Sequence, residues 1–405
     1  MAAIDASVKP IPDHVPQELV RPIGLTEGAD FLAAPHAFMA GLQDTHPPIF
    51  FSTSEHAGNA WMLINYEDVY FVLRHPEIFT TGGATPFPRD PNDYFYMIPL
   101  EIDPPHHRKY RAMIDPMISP KAVAAMEASI VKMTNELIDG FIDKGECEFT
   151  TELGRPLPVS VFLGIMGLPQ NMRDTFVGWA MGLLHAQNRE IAARCMKETV
   201  AYLKTAIAEK RQNPDNSVLS TIVHGKANGE TLPAQEVFGF TFFLFIAGLD
   251  TVFATLNNIF VWLAENPDRR QEIIANPGNI NGTLEELLRV FSVTFSGRTL
   301  TQDYELHGVK LKKGDKVTSI LPAANYDPTA FENPKQVNFS RPRKPNLAFA
   351  GGVHSCMGAH LARLEMRICI QEFLRRIPDF RLKQGTKIEY WPGGVVGPKS
   401  VPLTW

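Results

Sequence analysis

From Tyr66 onward, the apolar positions of the chain recur mainly with the spacing of an α-helix, and Pro, Gly or Asn residues mark the ends of the periodic segments. The pattern predicts helices over residues 105–117, 121–142, 171–186, 190–211, 282–291 and 358–376. Stretches with the pattern of short β-strands lie at 48–52, 60–64, 304–309 and 316–320. We therefore expect a mainly helical chain with a small β part, an α+β fold.

One predicted helix is apolar on nearly every side. Pro233 stands where the proline of a helical first turn would stand, and no further proline interrupts the helix-compatible sequence until Pro267. We predict a single buried helix of roughly 32 residues that crosses the molecule. Its most apolar run, residues 237–249, has about 13 residues and is shorter than the roughly 20 that span a bilayer.

The chain is expected to form one domain over residues 1–405. Its first residues, to about 30, are rich in proline and aperiodic, which predicts an arm packed on the body. No linker, internal repeat or low-complexity tract separates the segments that follow.

The charge balance limits the classes of partner. The net charge is -5 at pH 7, from 39 Lys and Arg against 44 Asp and Glu, which gives no overall field that would favour nucleic acid or an anionic membrane. The N-terminus lacks the basic segment and apolar stretch of a secretory signal. We expect a cytoplasmic protein that binds neither nucleic acid nor membrane, with a monomer as the default.

The cysteines point to a single functional thiol. The four cysteines form no CxxC pair and no regular spacing, which argues against a disulfide framework, a zinc ribbon or an iron–sulfur site. Around Cys356, glycines at 351, 352 and 358 allow tight turns, and a predicted helix begins just after it, so that helical N–H groups would stabilise a thiolate. A lone cysteine is more often buried and inert, and these observations alone leave that alternative open.

Residues 349–358 resemble the cysteine-ligand signature of the cytochrome P450 family, Phe-x-x-Gly-x-His/Arg-x-Cys-x-Gly. All five fixed positions match, as Phe349, Gly352, His354, Cys356 and Gly358. The resemblance covers nearly the whole chain and is strongest to the bacterial camphor hydroxylase group. It implies the fold of that family, with a long central helix, and a haem b (iron protoporphyrin IX) whose iron the Cys356 thiolate binds, with Phe349 and Gly358 beside it.

A second motif is Glu286-x-x-Arg289. Residues three apart share a helix face, and pairs of this spacing are common on solvated surfaces. The resemblance implies instead a buried structural network with a third partner in the later loop. Arg341 is our candidate for that partner.

The third motif is residues 247–251, Ala-Gly-Leu-Asp-Thr, in the middle of the long apolar helix. A helical glycine costs about 1 kcal/mol, and a buried acid beside an alcohol costs desolvation. The resemblance implies that Gly248 leaves room for dioxygen, Thr251 hydrogen-bonds it and Asp250 helps to relay protons. The structural alternative is that Thr251 bonds the carbonyl group four residues earlier and Asp250 pairs with a basic residue.

A haem would also bring two propionates, which need donors and cations. Residues 103–111 match the family pattern His-x-x-x-Arg, which implies that His107 and Arg111 are propionate partners. Arg298 and His354 are expected to complete the set.

The substrate pocket is expected to be apolar. Alignment back from residues 103–105 places Phe95, between Tyr94 and Tyr96, where camphor hydroxylases have the tyrosine that orients the camphor ketone. Because Phe95 lacks that hydroxyl, we expect that camphor is not the preferred substrate. The expected pocket residues, any of which could equally belong to the core, are Phe95, Tyr96, Phe243, Ile246, Ala247, Phe295 and Val395.

The resemblance implies a monooxygenase that inserts one oxygen atom of O2 into a C–H bond of a small apolar substrate of terpenoid size. Because the chain shows no dinucleotide fingerprint or flavin module, electrons are expected from a separate [2Fe–2S] ferredoxin and its reductase, with Arg108 as the better docking candidate. The alternatives are a haem-binding sensor and a peroxide-using haem enzyme, which the intact Asp250–Thr251 pair disfavours. A zinc protein is remote, because four suitably spaced ligands are lacking.

Overall fold

The computed structural model describes residues 10–26, 28–53, 59–83, 95–185, 188–227 and 229–405. Within this described part, helices dominate. They are α1 Ala29–Ala33, α2 Pro35–Thr45, α3 Tyr66–Arg74, α4 His107–Ile114, α5 Pro120–Ala124, α6 Glu127–Asp139, α7 Pro156–Met166, α8 Arg173–Leu184, α9 Arg189–Gln212, α10 Val218–His224, α11 Ala234–Gly248, α12 Thr251–Glu265, α13 Pro267–Ala275, α14 Ile280–Val290, α15 Leu321–Ala324 and α16 Ala359–Arg376.

The β structure of the described residues is a small part of the molecule. Its strands are β1 Ile49–Ser52, β2 Ala60–Leu63, β3 Phe79–Thr80, β4 Glu146–Glu148, β5 Lys226–Ala227, β6 Glu230–Thr231, β7 Ser296–Leu300, β8 Tyr304–Leu306, β9 Val309–Leu311, β10 Lys316–Ser319, β11 Arg381–Leu382 and β12 Pro402–Thr404. The largest sheet has the order β1-β2-β10-β7-β3, in which β10 runs parallel to β2 and the other pairs are antiparallel.

The mainly helical α+β fold is confirmed, with one correction among the strands. The segment predicted as a single strand over 304–309 is a hairpin, because β8 and β9 pair with each other across a tight turn. His307 and Gly308 have φ angles of 52° and 78°. Two successive positive φ angles are typical of the two-residue turns that suit the twist of a hairpin.

The long apolar segment is helical over Ala234–Glu265, as predicted, but it is interrupted between α11 and α12. Pro233 precedes the first residue of α11, and the chain departs from helical geometry at Leu249 and Asp250 before α12 begins at Thr251. Gly248 weakens the helix at this place, and the buried Asp250 has φ -127° as its carboxylate turns towards His185. The amide of Ala254 still donates to the carbonyl oxygen of Asp250 at 3.0 Å, so α12 continues directly from the break.

This pair of helices forms the centre of the core. Phe238, Phe242 and Phe245 of α11 pack in one cluster with α7 to α10, whereas Phe260 and Leu263 of α12 pack in another with α6, α14 and α16. Among the described residues, the stretch 234–265 alone is long and apolar enough to cross a membrane, and 67% of its most apolar window is buried inside the protein. Its composition is therefore that of a helix at the centre of a protein core.

The N-terminal segment packs along the main sheet where it is described. His14 lies 2.8 Å from a carboxylate oxygen of Asp315, and Val20 forms a β-bridge with Phe51 of β1. Residues 1–9 of the predicted arm lie outside the described residues.

Candidate active site

The loop that carries Cys356 is held by its own backbone. The amide of Cys356 donates to the carbonyl oxygen of Phe349 at 2.9 Å, and the N–H of Gly358 hydrogen-bonds the sulfur. Gly352 has φ 67°, and a Cβ at this position would lie 2.2 Å from the carbonyl oxygen of Leu73. A side chain is therefore excluded there both by conformation and by space.

The thiol of Cys356 faces an internal cavity of about 320 Å³. Burial raises the pKa of this thiol, while the N–H of Gly358 and the charges of Arg111 and Arg363 oppose the rise. The helix α16 begins one residue after Gly358, so the sulfur lies at the positive end of an 18-residue helix. The loop thus directs one sulfur ligand into the cavity from the protein interior.

Helices α11 and α12 supply the wall that includes the helix break. Phe243, Ala247, Gly248 and Thr251 line the cavity there. A Cβ on Gly248 would come within 2.3 Å of ring carbons of Phe162, which lines the same cavity. Gly248 is therefore required for the close packing of Phe162 in this structure.

Thr251 and Asp250 make the contacts that are expected if both residues have a structural role. The Thr251 hydroxyl donates to the carbonyl oxygen of Ala247 at 3.4 Å, a long hydrogen bond. Asp250 is not among the residues that line the cavity. Its Oδ2 lies 2.8 Å from Nε2 of His185, and each side chain is only 2% exposed. Thr251 nevertheless lines the cavity, so its contact with Ala247 does not exclude the predicted role in binding dioxygen.

Basic side chains gather at the side of the cavity near the cysteine loop. Arg111 donates from Nη1 to the carbonyl oxygen of Ser355 at 2.7 Å. His107 and His354 pack ring to ring, with centroids 4.6 Å apart, and Nε2 of His354 lies 2.8 Å from Asp103. Arg111 and both histidines line the cavity.

His107 has unused hydrogen-bonding capacity. Its Nε2 is buried with no partner among the described residues. Burial, together with the charges of His354 and Arg111, lowers the pKa of His107 from 6.5 to about 4, so the ring is neutral at pH 7. A ligand with acceptor oxygens at this wall would satisfy a ring N–H on that atom.

Arg298 lies in β7 and is buried, with 4% exposure, but it is not among the residues that line the cavity. Its Nη1 donates to the hydroxyl of Ser296 and to the carbonyl oxygen of Gly297, both at 2.7 Å. Burial lowers the pKa of Arg298 to about 10, and the charge of Asp103 opposes that shift. The electrostatic link to Asp103 places Arg298 near the basic wall, behind the residues that contact the cavity.

The structure separates the residues expected in the substrate pocket. Phe243 and Ala247 line the cavity, whereas Phe95 is packed in the core against Phe238 and Phe242. Tyr94 lies outside the described residues. The remaining expected pocket residues, which are also not among those that line the cavity, are Tyr96, Ile246, Phe295 and Val395.

The three residues expected in a structural network come together. Arg289 donates from Nε and Nη2 to the two carboxylate oxygens of Glu286, each at 2.8 Å. Arg341 donates from Nε to the same carboxylate at 3.0 and 3.1 Å. Arg289 also binds the carbonyl oxygen of Asn325 at 2.7 Å, so the network ties α14 to the loop that precedes the cysteine loop.

Sequence patterns did not identify two residues of this region. His185 ends α8, 65 positions away from Asp250, and carries no local motif. Phe162 lies on α7, which begins with Pro156 and has Pro158 in its first turn. The glycine at position 248 was a signal that something packs closely there, but it could not show which residue does so.

The residues present fit a haem. The cavity has one thiol on its wall, a basic wall with the unsatisfied Nε2 of His107, and a largely apolar remainder. A thiolate, hydrogen-bond donors for two carboxylates and apolar surface are what an iron protoporphyrin requires.

Comparison with known proteins supports the same family. A family model described as Cytochrome P450 matches residues 169–276 and 280–400. The chain is 36% identical to the probable cytochrome P450 127A1 of Sinorhizobium fredii, over 98% of this chain and 97% of that protein. It is 31% identical to the steroid C26-monooxygenase of Mycolicibacterium smegmatis, over 84% and 86% of the two chains. The crystal structure of CYP101J2 is 30% identical and superposes with a TM-score of 0.85, over 98% of this chain and 99% of the other.

Proposed function

The chain belongs to the cytochrome P450 family, whose members bind haem through a cysteine thiolate, and from this premise we propose that it inserts one oxygen atom of O2 into a C–H bond of a small apolar substrate. The observation that carries the proposal is the cavity, which has Cys356 on one wall and Gly248 and Thr251 on another. The proposed iron ligand and the proposed oxygen-binding stretch would thus face the same cavity.

We assign the cofactor contacts to the residues around that cavity. Cys356 would bind the iron, while His107, Arg111 and His354 would bind the propionates, with Arg298 acting from behind them. Phe349 and Gly358 line the cavity beside the sulfur. When bound, the haem supplies the activation of dioxygen and the attack on the C–H bond.

The distal residues have roles that follow from their placement. Gly248 keeps the cavity wall free of a side chain, and the Thr251 hydroxyl offers a hydrogen bond to dioxygen. Asp250 is one residue away and fully buried, so it can hold a proton away from bulk water. Glu286, Arg289 and Arg341 fix the loop before the cysteine and do not contact the cavity.

The substrate proposed is an apolar molecule of terpenoid size. The lining near the oxygen-binding stretch is apolar, with Leu100, Phe162, Phe243, Leu244 and Ala247. Such a wall recognises shape rather than polar groups. The relative named as a steroid C26-monooxygenase makes a steroid the second candidate class.

The electron donor proposed is a separate [2Fe–2S] ferredoxin with its own reductase, acting on a cytoplasmic enzyme. Arg108 is exposed on α4, the helix whose Arg111 binds the cysteine loop through Ser355. A positive side chain there suits an acidic partner that approaches the iron from the cysteine side.

The first test is the carbon monoxide difference spectrum of the reduced wild type and of Cys356→Ala. The expected result is the Soret maximum characteristic of thiolate ligation in the wild type and its loss in the variant. The shorter-wavelength band of a neutral or nitrogen ligand, in folded wild type, would overturn the monooxygenase proposal. A haem sensor would give the thiolate band but form no product with O2 and a surrogate ferredoxin system.

The second test compares substrate classes by the spin-state change that follows when a substrate displaces water from ferric haem. The panel contains camphor, a terpene hydrocarbon and testosterone. We expect the hydrocarbon to bind more tightly than camphor, because Phe95 has no hydroxyl and packs in the core, so this position offers the ketone no hydrogen-bond donor. Preference for testosterone would replace the terpenoid proposal with the steroid one.

A further inference from the structure

The carboxylate of Asp250 has a buried histidine as its partner. His185 follows the last residue of α8, and its Nε2 lies 2.8 Å from Oδ2 of Asp250. Both side chains are 2% exposed, and Oδ1 of Asp250 has no partner among the described residues. The pair adjoins the helix break, one residue from the cavity-lining Thr251.

The contact of the second ring nitrogen shows where one proton of His185 lies. Its Nδ1 lies 3.0 Å from the carbonyl oxygen of Pro392, which can only accept a hydrogen bond, so Nδ1 carries a proton. Nε2 then faces a carboxylate oxygen at hydrogen-bond distance, and two bare acceptors would repel each other there. A second proton must lie between Nε2 of His185 and Oδ2 of Asp250.

The loop over His185 is built for close approach. Gly393 has φ 121°, and a Cβ on it would lie 2.4 Å from the carbonyl oxygen of Leu184 and 3.4 Å from Nδ1 of His185. Only a glycine lets the loop press its carbonyl groups onto the ring in this way. The imidazole is thus clamped between Pro392 and Asp250.

One further charged group acts on the pair. Arg155 lies with its guanidinium over the ring of Phe253, 4.9 Å from the centroid, and its charge acts on both Asp250 and His185. Burial and the charge of Arg155 oppose a charged imidazole, but the hydrogen bond and charge of Asp250, with the hydrogen bond to Pro392, outweigh them and raise the pKa of His185 above 6.5. The arrangement therefore favours the protonated pair near neutral pH.

We infer that His185 is a positioning residue that keeps a proton on the Asp250 pair, ready for delivery to the cavity. The inference rests on the proposed function, because only an oxygen-activating site consumes such protons. It goes beyond an acid that relays protons, because it names the buried group from which that acid takes them.

The transfer balances in protons and charge. The Nε2–H bond of His185 breaks and an O–H bond forms on Oδ2 of Asp250, which leaves two neutral groups with Nδ1–H still donated to Pro392. A neutral Asp250 is no longer held by an ion pair and can turn its O–H towards Thr251. After Asp250 has given up that proton, the pair is restored when one proton is taken up from solvent and Nε2–H of His185 again faces a charged Asp250.

The first experiment reads the proton directly and needs no turnover. Nitrogen NMR of the 15N-histidine-labelled holoenzyme, in its reduced carbon monoxide form, assigns His185 by comparison with His185→Asn. In the wild type at neutral pH we expect both ring nitrogens of His185 to carry a proton. In Asp250→Asn we expect this doubly protonated ring to be lost. A bare Nε2 at neutral pH in the wild type would overturn the inference.

The second experiment compares two oxidants with ethylbenzene as a small apolar probe. Reaction with O2 needs two electrons and two protons, whereas hydrogen peroxide brings both with its oxygen atoms. His185→Asn is expected to lower product formation with O2 by about a hundredfold, the lower end of the range for general acid catalysis, and to leave the peroxide reaction near wild type. In the wild type, the O2 rate should fall as the pH rises through the pKa of His185.

The matched control is His307→Asn. His307 forms a histidine–aspartate pair of the same 2.8 Å length with Asp68, neither residue lines the cavity, and loss of the pair should leave both reactions unchanged. Equal loss of both reactions in His185→Asn, or no loss of either, would overturn the inference. If wild type makes no product with either oxidant and lacks the thiolate band, the proposed function fails, and the NMR result still decides the protonation of the pair.

Discussion

Arg111 donates a hydrogen bond of 2.7 Å to the carbonyl oxygen of Ser355, the residue before Cys356. The same guanidinium lines the cavity and bonds Asp115 from Nε at 3.1 Å. One side chain therefore joins α4 to the cysteine loop and presents positive charge to the place where a propionate is proposed. Loop geometry and cofactor retention are coupled through this residue.

Arg111→Ala is expected to reduce the haem content per chain and to lower the free energy of unfolding by about 1.5–3 kcal/mol, the range for hydrogen bonds to charged groups. Haem is measured by the pyridine haemochrome assay and stability by urea unfolding. Arg108→Ala, which changes the exposed neighbour on the same helix, should keep its haem. Equal haem content in the two variants would contradict the role given to Arg111.

The buried carboxylate of Glu286 supports a prediction about stability. It accepts from both Arg289 and Arg341 with 4% exposure, so Glu286→Gln leaves two cations short of a counter-charge. Removal of one partner from a buried pair costs about 3–5 kcal/mol. Glu136→Gln removes the exposed pair with Lys132 and should cost less than about 1 kcal/mol. Urea midpoints measure both, and similar costs would show that burial does not govern the Glu286 network.

Local patterns predicted the longest helices, such as α9 and α16, because their apolar faces repeat along the chain. The shorter helices that were not predicted include α1, α2, α3, α10, α13 and α15. The helix α7 was not predicted, because Pro156 and Pro158 resemble loop residues in sequence although a first turn tolerates them. The break at Leu249 and Asp250 was also missed. Asp250 at the break contacts His185, 65 positions away, and a contact of that kind leaves no periodic signal.

The chemistry of the site divides along the same line. Cys356 and the residues around it form one continuous segment, so a short motif places them together. The proposed substrate wall is assembled from α7, α11 and the segments near residues 100 and 293, which share no sequence motif. The sequence therefore could not show that Phe243 and Ala247 line the cavity while Phe295 and Val395 do not.

Gly248 allows a test of space at the helix break. In Gly248→Ala the new methyl group would meet the Phe162 ring at 2.3 Å, so Phe162 must move within the cavity. Overpacking of this kind costs about 1–3 kcal/mol. The double variant Gly248→Ala/Phe162→Leu should recover part of that loss in thermal unfolding. Gly41→Ala on α2, with nothing within 4 Å, should instead stabilise by roughly 0.5–1 kcal/mol. If both alanine substitutions destabilise the protein, the effect of Gly248→Ala comes from placing alanine in the helix and not from the contact with Phe162.

His36 predicts how stability depends on acid. Both ring nitrogens are buried and the ring packs edge-on against Phe291, 5.2 Å between centroids. Burial lowers the pKa of His36 from 6.5 to about 4, and the polar groups of Asn258 and Val290 oppose this shift. The unfolded chain binds a proton on His36 more readily than the folded chain does. The contribution of the neutral His36 to stability is therefore fully present above pH 6.5 and is lost as the pH falls towards 4.

The loss attributable to His36 is up to about 3 kcal/mol, from the pKa difference. His36→Phe keeps the ring against Phe291 without a titrating nitrogen, so its free energy of unfolding should fall less over the same interval. His224→Asn, at an exposed histidine, should follow the wild type. Urea unfolding at a series of pH values measures all three chains. Parallel curves for wild type and His36→Phe would show that the acid sensitivity comes from other groups.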